Sequence, residues 1–496
     1  MWLSQILEVN RVRYPTAVAL RDIRRDVSWT RFHDDVSALA QVIANRVEYG
    51  DRVVVLSGNR VEYVETYFAC AAVGATVVPI NPALTAPEVA HIISSVEPKL
   101  AVADAAGAGR LAEHYPDLPV LSLEGLARLV PSARMPTNRV NDLTAPFAIL
   151  YTSATTGRPK GVLVDQRSVQ TNALSWLADI RPEPGTMFLT ASPLFHGSIV
   201  AALHYLAAGG TVCVLDSFTP NSCLAALAGW RVEHVFLVPS MVRLLLQTRG
   251  IDSANLGALR LILHAAAPMP ADLAEEATRV LGVPLRTIYG VTEAGGVVLS
   301  LRPDDQPGPP PLPGATCLGA PMLGAPVQLV RPDGTRADDH EVAEIHVAGD
   351  SIMRGYWKNP EATADAVRDG WLNTRDMATV DNHGYYWLVD RRDDLIVRGG
   401  QNVYPAEVEH VLRMSPQVAD VAVVAAPSTV WGQLPVAFVQ PVGPDLDEAA
   451  LVNLCVRQLA GYKRPSRFVR LDHIPRNPTG KILRPALRRL AEQDGS

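Results

Sequence analysis

Residues 151–162 read Tyr-Thr-Ser-Ala-Thr-Thr-Gly-Arg-Pro-Lys-Gly-Val and close an apolar run beginning at residue 147. A loop of this kind after a strand offers backbone N–H groups and the hydroxyls of Thr152, Ser153, Thr155 and Thr156 to anionic oxygens. Gly157 frees the turn, and Lys160 adds a compact positive charge. The usual P-loop is excluded, because Lys160 is followed by Gly161 rather than by Ser or Thr. Lysine is scarce: the chain has 45 basic residues, and only Lys99, Lys160, Lys358, Lys463 and Lys481 are lysines. Ala154 sets a methyl group where such a loop is expected to carry glycine.

Further stretches follow in order: Ser-Pro-Leu-Phe-His-Gly (192–197), His-Ala-Ala-Ala-Pro-Met (264–269) and Tyr-Gly-Val-Thr-Glu (289–293). Then come 374–394, Gly-Gly-Gln-Asn-Val-Tyr-Pro-Ala-Glu-Val-Glu (399–409) and Pro-Arg-Asn-Pro-Thr-Gly-Lys-Ile-Leu-Arg (475–484). With the loop, their order and spacing resemble the AMP-forming acyl-CoA synthetases. These belong to the adenylate-forming superfamily, with luciferases and peptide-synthetase adenylation domains, and their loop is normally Thr-Ser-Gly-Thr-Thr-Gly-x-Pro-Lys-Gly.

The resemblance implies two steps at one site. A carboxylate attacks the α-phosphorus of ATP to give acyl-AMP and pyrophosphate, and the thiol of CoA then displaces AMP. It also implies roles. Asp376 accepts the ribose hydroxyls, a task for an acceptor-only carboxylate, with Arg391 beside it. Ala265, Ala266, Ala267 and Pro268 form the adenine turn, with Tyr289 and Gly290 against the base. Thr292 meets phosphate and Glu293 binds Mg²⁺, a hard cation that takes oxygen ligands. His196 lies at the acyl pocket, and Lys481 bridges carboxylate and α-phosphate. The small domain turns about Asp394 for the second step, when Gly399 and Gly400 pass the pantetheine arm and Lys463 meets the CoA phosphates.

Two departures bear on the first step: Ala154, and Arg375 in place of the glycine before the ribose-binding Asp. A Cβ at a glycine position strains the loop by about 1–2 kcal/mol or protrudes toward the ligand. Only ATP and pyrophosphate have β- and γ-phosphates. The expectation is therefore an intact thioesterification half with ATP-dependent adenylation weak or lost, acyl-AMP coming from a separate adenylating enzyme. The alternatives are a complete acyl-CoA ligase, an acyl-AMP ligase loading a carrier protein, and a non-catalytic acid- or nucleotide-binding relative. CoA is favoured over a carrier because the insertion implied by fatty-acyl-AMP ligases is missing. Small residues near the expected pocket (Ala265, Ala266, Ala267, Gly290, Gly295, Gly296) point to room for a bulky apolar acid.

The elements that must position these groups are legible as alternation. β-Branched runs at 52–57, 76–80, 99–104, 147–153, 211–216, 234–240, 259–266 and 344–349 alternate with helical patterns. Such alternation means α/β architecture with parallel-rich sheets. The Pro-rich 302–321 reads as an irregular loop, followed by turn-rich β signals to about residue 388. Residues 1–389 are expected to form a large N-terminal adenylate- and acyl-binding domain with a β subdomain, 390–395 a hinge, and 396–496 a small mobile α+β domain. At 496 residues and 48% apolar, the chain can bury a large core. A net charge of −6 gives no reason to expect a nucleic-acid partner, and no stretch reads as a membrane span. Five scattered cysteines without a CxxC pair argue against zinc and disulfides, and no signal peptide is read at the N-terminus; a cytoplasmic location is expected.

Overall fold

The structure is a computed structural model describing residues 2–126, 135, 142–152, 159–477 and 480–493. Of the phosphate loop, Ser153, Ala154, Thr155, Thr156 and Gly157 lie outside the described residues.

Runs of buried Val, Leu and Ile become the parallel strands, because a strand covered on both faces must be apolar throughout. One seven-stranded sheet runs in the order Gly355–Tyr356, Lys160–Asp165, Pro146–Thr152, Thr76–Ile80, Arg52–Leu56, Leu100–Ala103 and Val120–Ser122. In a second sheet, Thr211–Val214, Met187–Thr190, His234–Leu237, Leu261–His264 and Leu285–Val291 are parallel neighbours. Local signals start the helices between them: the Asp165 side chain accepts from the Ser168 N–H at the head of Gln166–Asp179, and Thr85 with Glu88 closes a capping box before Ala86–Val96.

Two sequence expectations change here. Residues 302–321 are not irregular throughout, since Thr316–Pro321 is a strand. The β-rich segment does not stand apart either. Strand Gly296–Leu301 pairs antiparallel with Thr316–Pro321, which pairs with Tyr386–Arg391, so it continues the second sheet to fourteen strands. That continuity sets the strands carrying Asp376 and Arg391 in one sheet with the strand carrying Tyr289.

Beyond residue 395, a five-stranded sheet carries helices on both faces. Pro405–Arg413 and Glu448–Gln458 bury Val408, Leu412, Leu451 and Cys455 on one side. Arg484–Gln493 buries Leu487 and Ala491 on the other. No helix among the described residues is long and apolar enough to cross a membrane.

Candidate active site

The parallel strands of the second sheet end together, and ligand crevices of open α/β sheets lie outside such carboxyl ends. After Met187–Thr190 comes the turn with His196; after His234–Leu237, Val238 and Ser240; after Leu261–His264, Ala265 to Pro268; after Leu285–Val291, Thr292 and Glu293.

Asp376 and Arg391 are register partners on the antiparallel strands Trp371–Val380 and Tyr386–Arg391. Arg391 Nε donates to Asp376 Oδ1 at 2.7 Å, and Tyr289 Oη donates to Oδ2 at 2.6 Å. Asp376 is buried at 5% exposure. Its charge, foremost, raises the Arg391 pKa, whereas burial and then Asp376 raise that of the Tyr289 phenol. The result is a carboxylate held in place with acceptor lone pairs left over.

Arg375, next to it, has φ +63°, the left-handed region that glycine adopts freely. Its guanidinium pairs with Asp365 at 2.5 Å and lies 3.8 Å from Asp393. Strain relief in Arg375→Gly, about 1–2 kcal/mol, is nearly offset by glycine backbone entropy and the lost half-exposed pair. Arg375→Gly is expected to shift the melting temperature by no more than about 2 °C and AMP affinity by less than about twofold, read by calorimetry. A tenfold gain in AMP affinity would show that Arg375 obstructs the ribose site. Ala266 is also left-handed, at φ +71°.

Toward the phosphate side, Thr152 ends its strand opposite Lys160. The Lys160 ammonium sits 5.0 Å from the ring centroid of Tyr356, whose hydroxyl donates to Glu293 Oε1 at 3.0 Å. Thr292 and Glu293 occupy a single 3₁₀ turn, Thr292–Ala294. Among the described residues no group of three or more His, Cys, Asp or Glu could hold a metal by itself. One carboxylate plus phosphate oxygens and water is the donor set Mg²⁺ commonly takes, so Glu293 fits that ion when nucleotide supplies the rest. Bound there, the metal would neutralise phosphate charge.

Lys481 arrives on a tight turn from the small domain. Its N–H donates to Asn477 Oδ1 at 2.9 Å, and Gly480 has φ +79°, where a Cβ would fall 2.6 Å from Ser240 Oγ of the large domain. Burial, with Arg391 next, lowers the Lys481 pKa to about 8, while the charges of Asp376 and Asp394 oppose this. The ammonium is therefore within electrostatic reach of Asp376 and Arg391. Asp394 is buried, and Arg488 and Arg484 of the C-terminal helix hold its carboxylate at 2.6 and 3.3 Å.

Gly399 (φ +57°) and Gly400 (φ +82°) form the hairpin turn before Gln401–Val403. A Cβ on Gly399 would lie 2.9 Å from the Trp431 ring; one on Gly400 would meet nothing. Lys463 is paired with Glu407 at 2.7 Å, outside the cluster around Asp376. His196 lies against Phe195, with ring centroids 4.7 Å apart and planes inclined at 59°, and burial lowers its pKa to about 4.

The small residues need a correction. A Cβ on Gly290 would meet Gly296 O at 1.9 Å, one on Gly295 the Ser351 carbonyl at 2.0 Å, and one on Gly296 the Asn172 amide at 2.3 Å. At all three, a Cβ would collide with a neighbouring carbonyl or with the Asn172 amide, so close packing requires glycine there. Sequence reasoning also missed Tyr356, Ser240 and the Arg484–Arg488 clamp. A signal existed for Tyr356 in the Gly-Tyr-Trp-Lys-Asn-Pro stretch at 355–360, but nothing local pairs it with Lys160.

Asp376 held by Arg391 and Tyr289, Glu293 beside Tyr356 and Lys481 on a turn against Ser240 form the candidate site. The chain matches the AMP-binding enzyme family over residues 7–357 and the AMP-binding enzyme C-terminal domain over 407–481, and it belongs to that family. It is 36% identical to feruloyl-CoA synthase of Amycolatopsis over 494 residues, 97% of each chain. It is 34% identical to 2-succinylbenzoate–CoA ligase of Geobacillus kaustophilus, covering 96% of this chain and 95% of that one. ATP-bound MatB from Rhodopseudomonas palustris has TM-score 0.91 and 28% identity over 99% of this chain and 100% of that one. The chain is an acid–thiol ligase of the AMP-forming type.

Proposed function

We propose that the protein carries out both half-reactions, converting an aromatic carboxylic acid to its CoA thioester through an acyl-AMP made in its own site. The observation that carries this reading is Lys481, brought beside Asp376 and Arg391 at the cost of a lowered pKa. A lysine buried against two arginines has no use in thioesterification. In adenylation it meets both the attacking carboxylate and the α-phosphate, anions that stabilise its charge.

Asp376 and Arg391 hold the ribose, Ala265 to Pro268 and Tyr289 the adenine, and Thr292, Glu293 and the loop from Thr152 to Lys160 the phosphates and Mg²⁺. After pyrophosphate leaves, the domain beyond Asp394 turns, withdrawing Lys481 and presenting Gly399 and Gly400 to the pantetheine arm. Lys463 must exchange Glu407 for phosphate before it can hold CoA. While relatives at 32–33% identity named for fatty acids represent the aliphatic alternative, the aromatic class draws on relatives at 32–36% identity named for feruloyl, 2-succinylbenzoate and indoleacetate substrates. His196 supports it: an imidazole titrating near pH 4 is neutral in use and suits an apolar ring.

The test is a panel of free acids with ATP, Mg²⁺ and CoA. Aryl acids should exceed aliphatic acids of equal carbon number in kcat/KM by at least about tenfold, a ratio that a well-filled apolar pocket sustains. Equal rates, or a preference for long aliphatic chains, would overturn the aromatic assignment.

A second reading rests on Ala154: thioesterification only, on acyl-AMP from another enzyme. It expects Ala154→Gly to create ATP use where the parent has none. The first reading expects Ala154→Gly to change an existing rate by less than about tenfold.

A further inference from the structure

Tyr356 stands between the two phosphate-side charges, and the mechanism above gives it no task. It reaches that position through long-range pairing. Strand Gly355–Tyr356 lies antiparallel to Lys160–Asp165, with Tyr356 opposite Val162, and the Trp357 N–H donates to the Gly161 carbonyl at 2.7 Å. The Tyr356 N–H is held in turn by Thr363 Oγ1 at 2.9 Å. The ring thus has a fixed backbone on both sides. One face carries the Lys160 ammonium at 5.0 Å, and the hydroxyl donates to Glu293 Oε1 at 3.0 Å.

The two contacts reinforce each other. A phenol donating to a carboxylate gains electron density in its ring, which strengthens attraction to a cation on its face. Lys160 and Glu293 carry opposite charges at one end of the site, yet among the described residues neither forms an ion pair with the other. A direct pair would neutralise the cation meant for phosphate and the carboxylate meant for the metal. An aromatic spacer holds both near their tasks in weaker contacts that a nucleotide can displace.

We propose that Tyr356 is a positioning residue for Mg²⁺·ATP, keeping Lys160 and Glu293 apart and aiming Glu293 at the metal. The inference rests on the reading of Glu293 as the Mg²⁺ carboxylate. It concerns only nucleotides that bring β- and γ-phosphates.

The test is equilibrium binding by titration calorimetry, using AMP and the non-reacting analogue α,β-methylene-ATP with and without Mg²⁺. In Tyr356→Phe the analogue should lose about three- to tenfold of its Mg²⁺-dependent affinity, the worth of one hydrogen bond. AMP affinity should stay unchanged. Tyr356→Leu, which also removes the ring, should weaken the analogue even without Mg²⁺. Equal losses for AMP and the analogue would mean a merely structural role and overturn the proposal, as would a Mg²⁺ response identical to the parent. Glu293→Gln in the same titrations separates the two claims. If it keeps the parent's Mg²⁺ response, the metal reading of Glu293 falls and this proposal with it; if only Tyr356→Phe keeps it, Tyr356 alone loses its role.

Discussion

Lys481→Ala should lower acid-dependent ATP–pyrophosphate exchange by about two to three orders of magnitude, the usual loss when one preorganised partner of transition-state charge is removed. The same variant, given synthetic acyl-AMP and CoA, should make thioester within a few-fold of the parent rate. The asymmetry follows from position: Lys481 lies on a turn packed against Ser240 of the large domain, within electrostatic reach of Asp376 and Arg391. A pH signature accompanies it. The amine must be protonated to offset developing charge, and burial and Arg391 lower its pKa to about 8 in the free protein. The kcat/KM for adenylation, which reports the free enzyme, should therefore fall as pH rises through about 8. The acyl-AMP route should lack that limb. For stability the sign is the reverse: the folded pKa lies below the unfolded one, so folding gains as pH rises from about 8 toward about 10.4. A loss of activity in that window is thus not explained by unfolding at this lysine. Equal damage to both half-reactions in Lys481→Ala would remove the lysine from its assigned step.

Asp376→Asn should instead damage both half-reactions together, because ATP and acyl-AMP share one ribose. The asparagine keeps the shape but turns the ion-pair bond from Arg391 Nε into one between the guanidinium and a neutral amide, and leaves the guanidinium without its counter-ion. A hydrogen bond to a charged group is worth about 1.5–3 kcal/mol. AMP binding should accordingly weaken by about ten- to a hundredfold, and the protein should melt at a lower temperature. Calorimetry with AMP and a melting curve check both. Unchanged AMP affinity would place the ribose elsewhere.

How much was legible in the sequence depended on distance along the chain. Motifs set by short-range backbone needs, such as Gly480 before Lys481, survive as strings of residues. Buried apolar runs such as 211–216 and 234–240 carry the strands Thr211–Val214 and His234–Leu237, although the second run ends in the helix Pro239–Leu246. What failed was long-range. Tyr356 meets Lys160 only through a strand pairing across nearly two hundred residues, and no local pattern encodes that. Gly290, Gly295 and Gly296 looked like room for substrate, but each marks a crossing with another backbone or with Asn172. Arg375 was readable as a breach of a glycine position, and its left-handed φ bears that out. Its direction was not readable, since Asp365 lies on a helix that packs beside it only in the folded chain.

The central claim is that this chain makes its own acyl-AMP. Acid-dependent exchange of labelled pyrophosphate into ATP by the unaltered protein, with Mg²⁺ and without CoA, tests it most directly. Exchange should require an aryl acid and disappear in Lys481→Ala. Absent exchange in a preparation that still converts synthetic aryl-AMP and CoA to the thioester would contradict it.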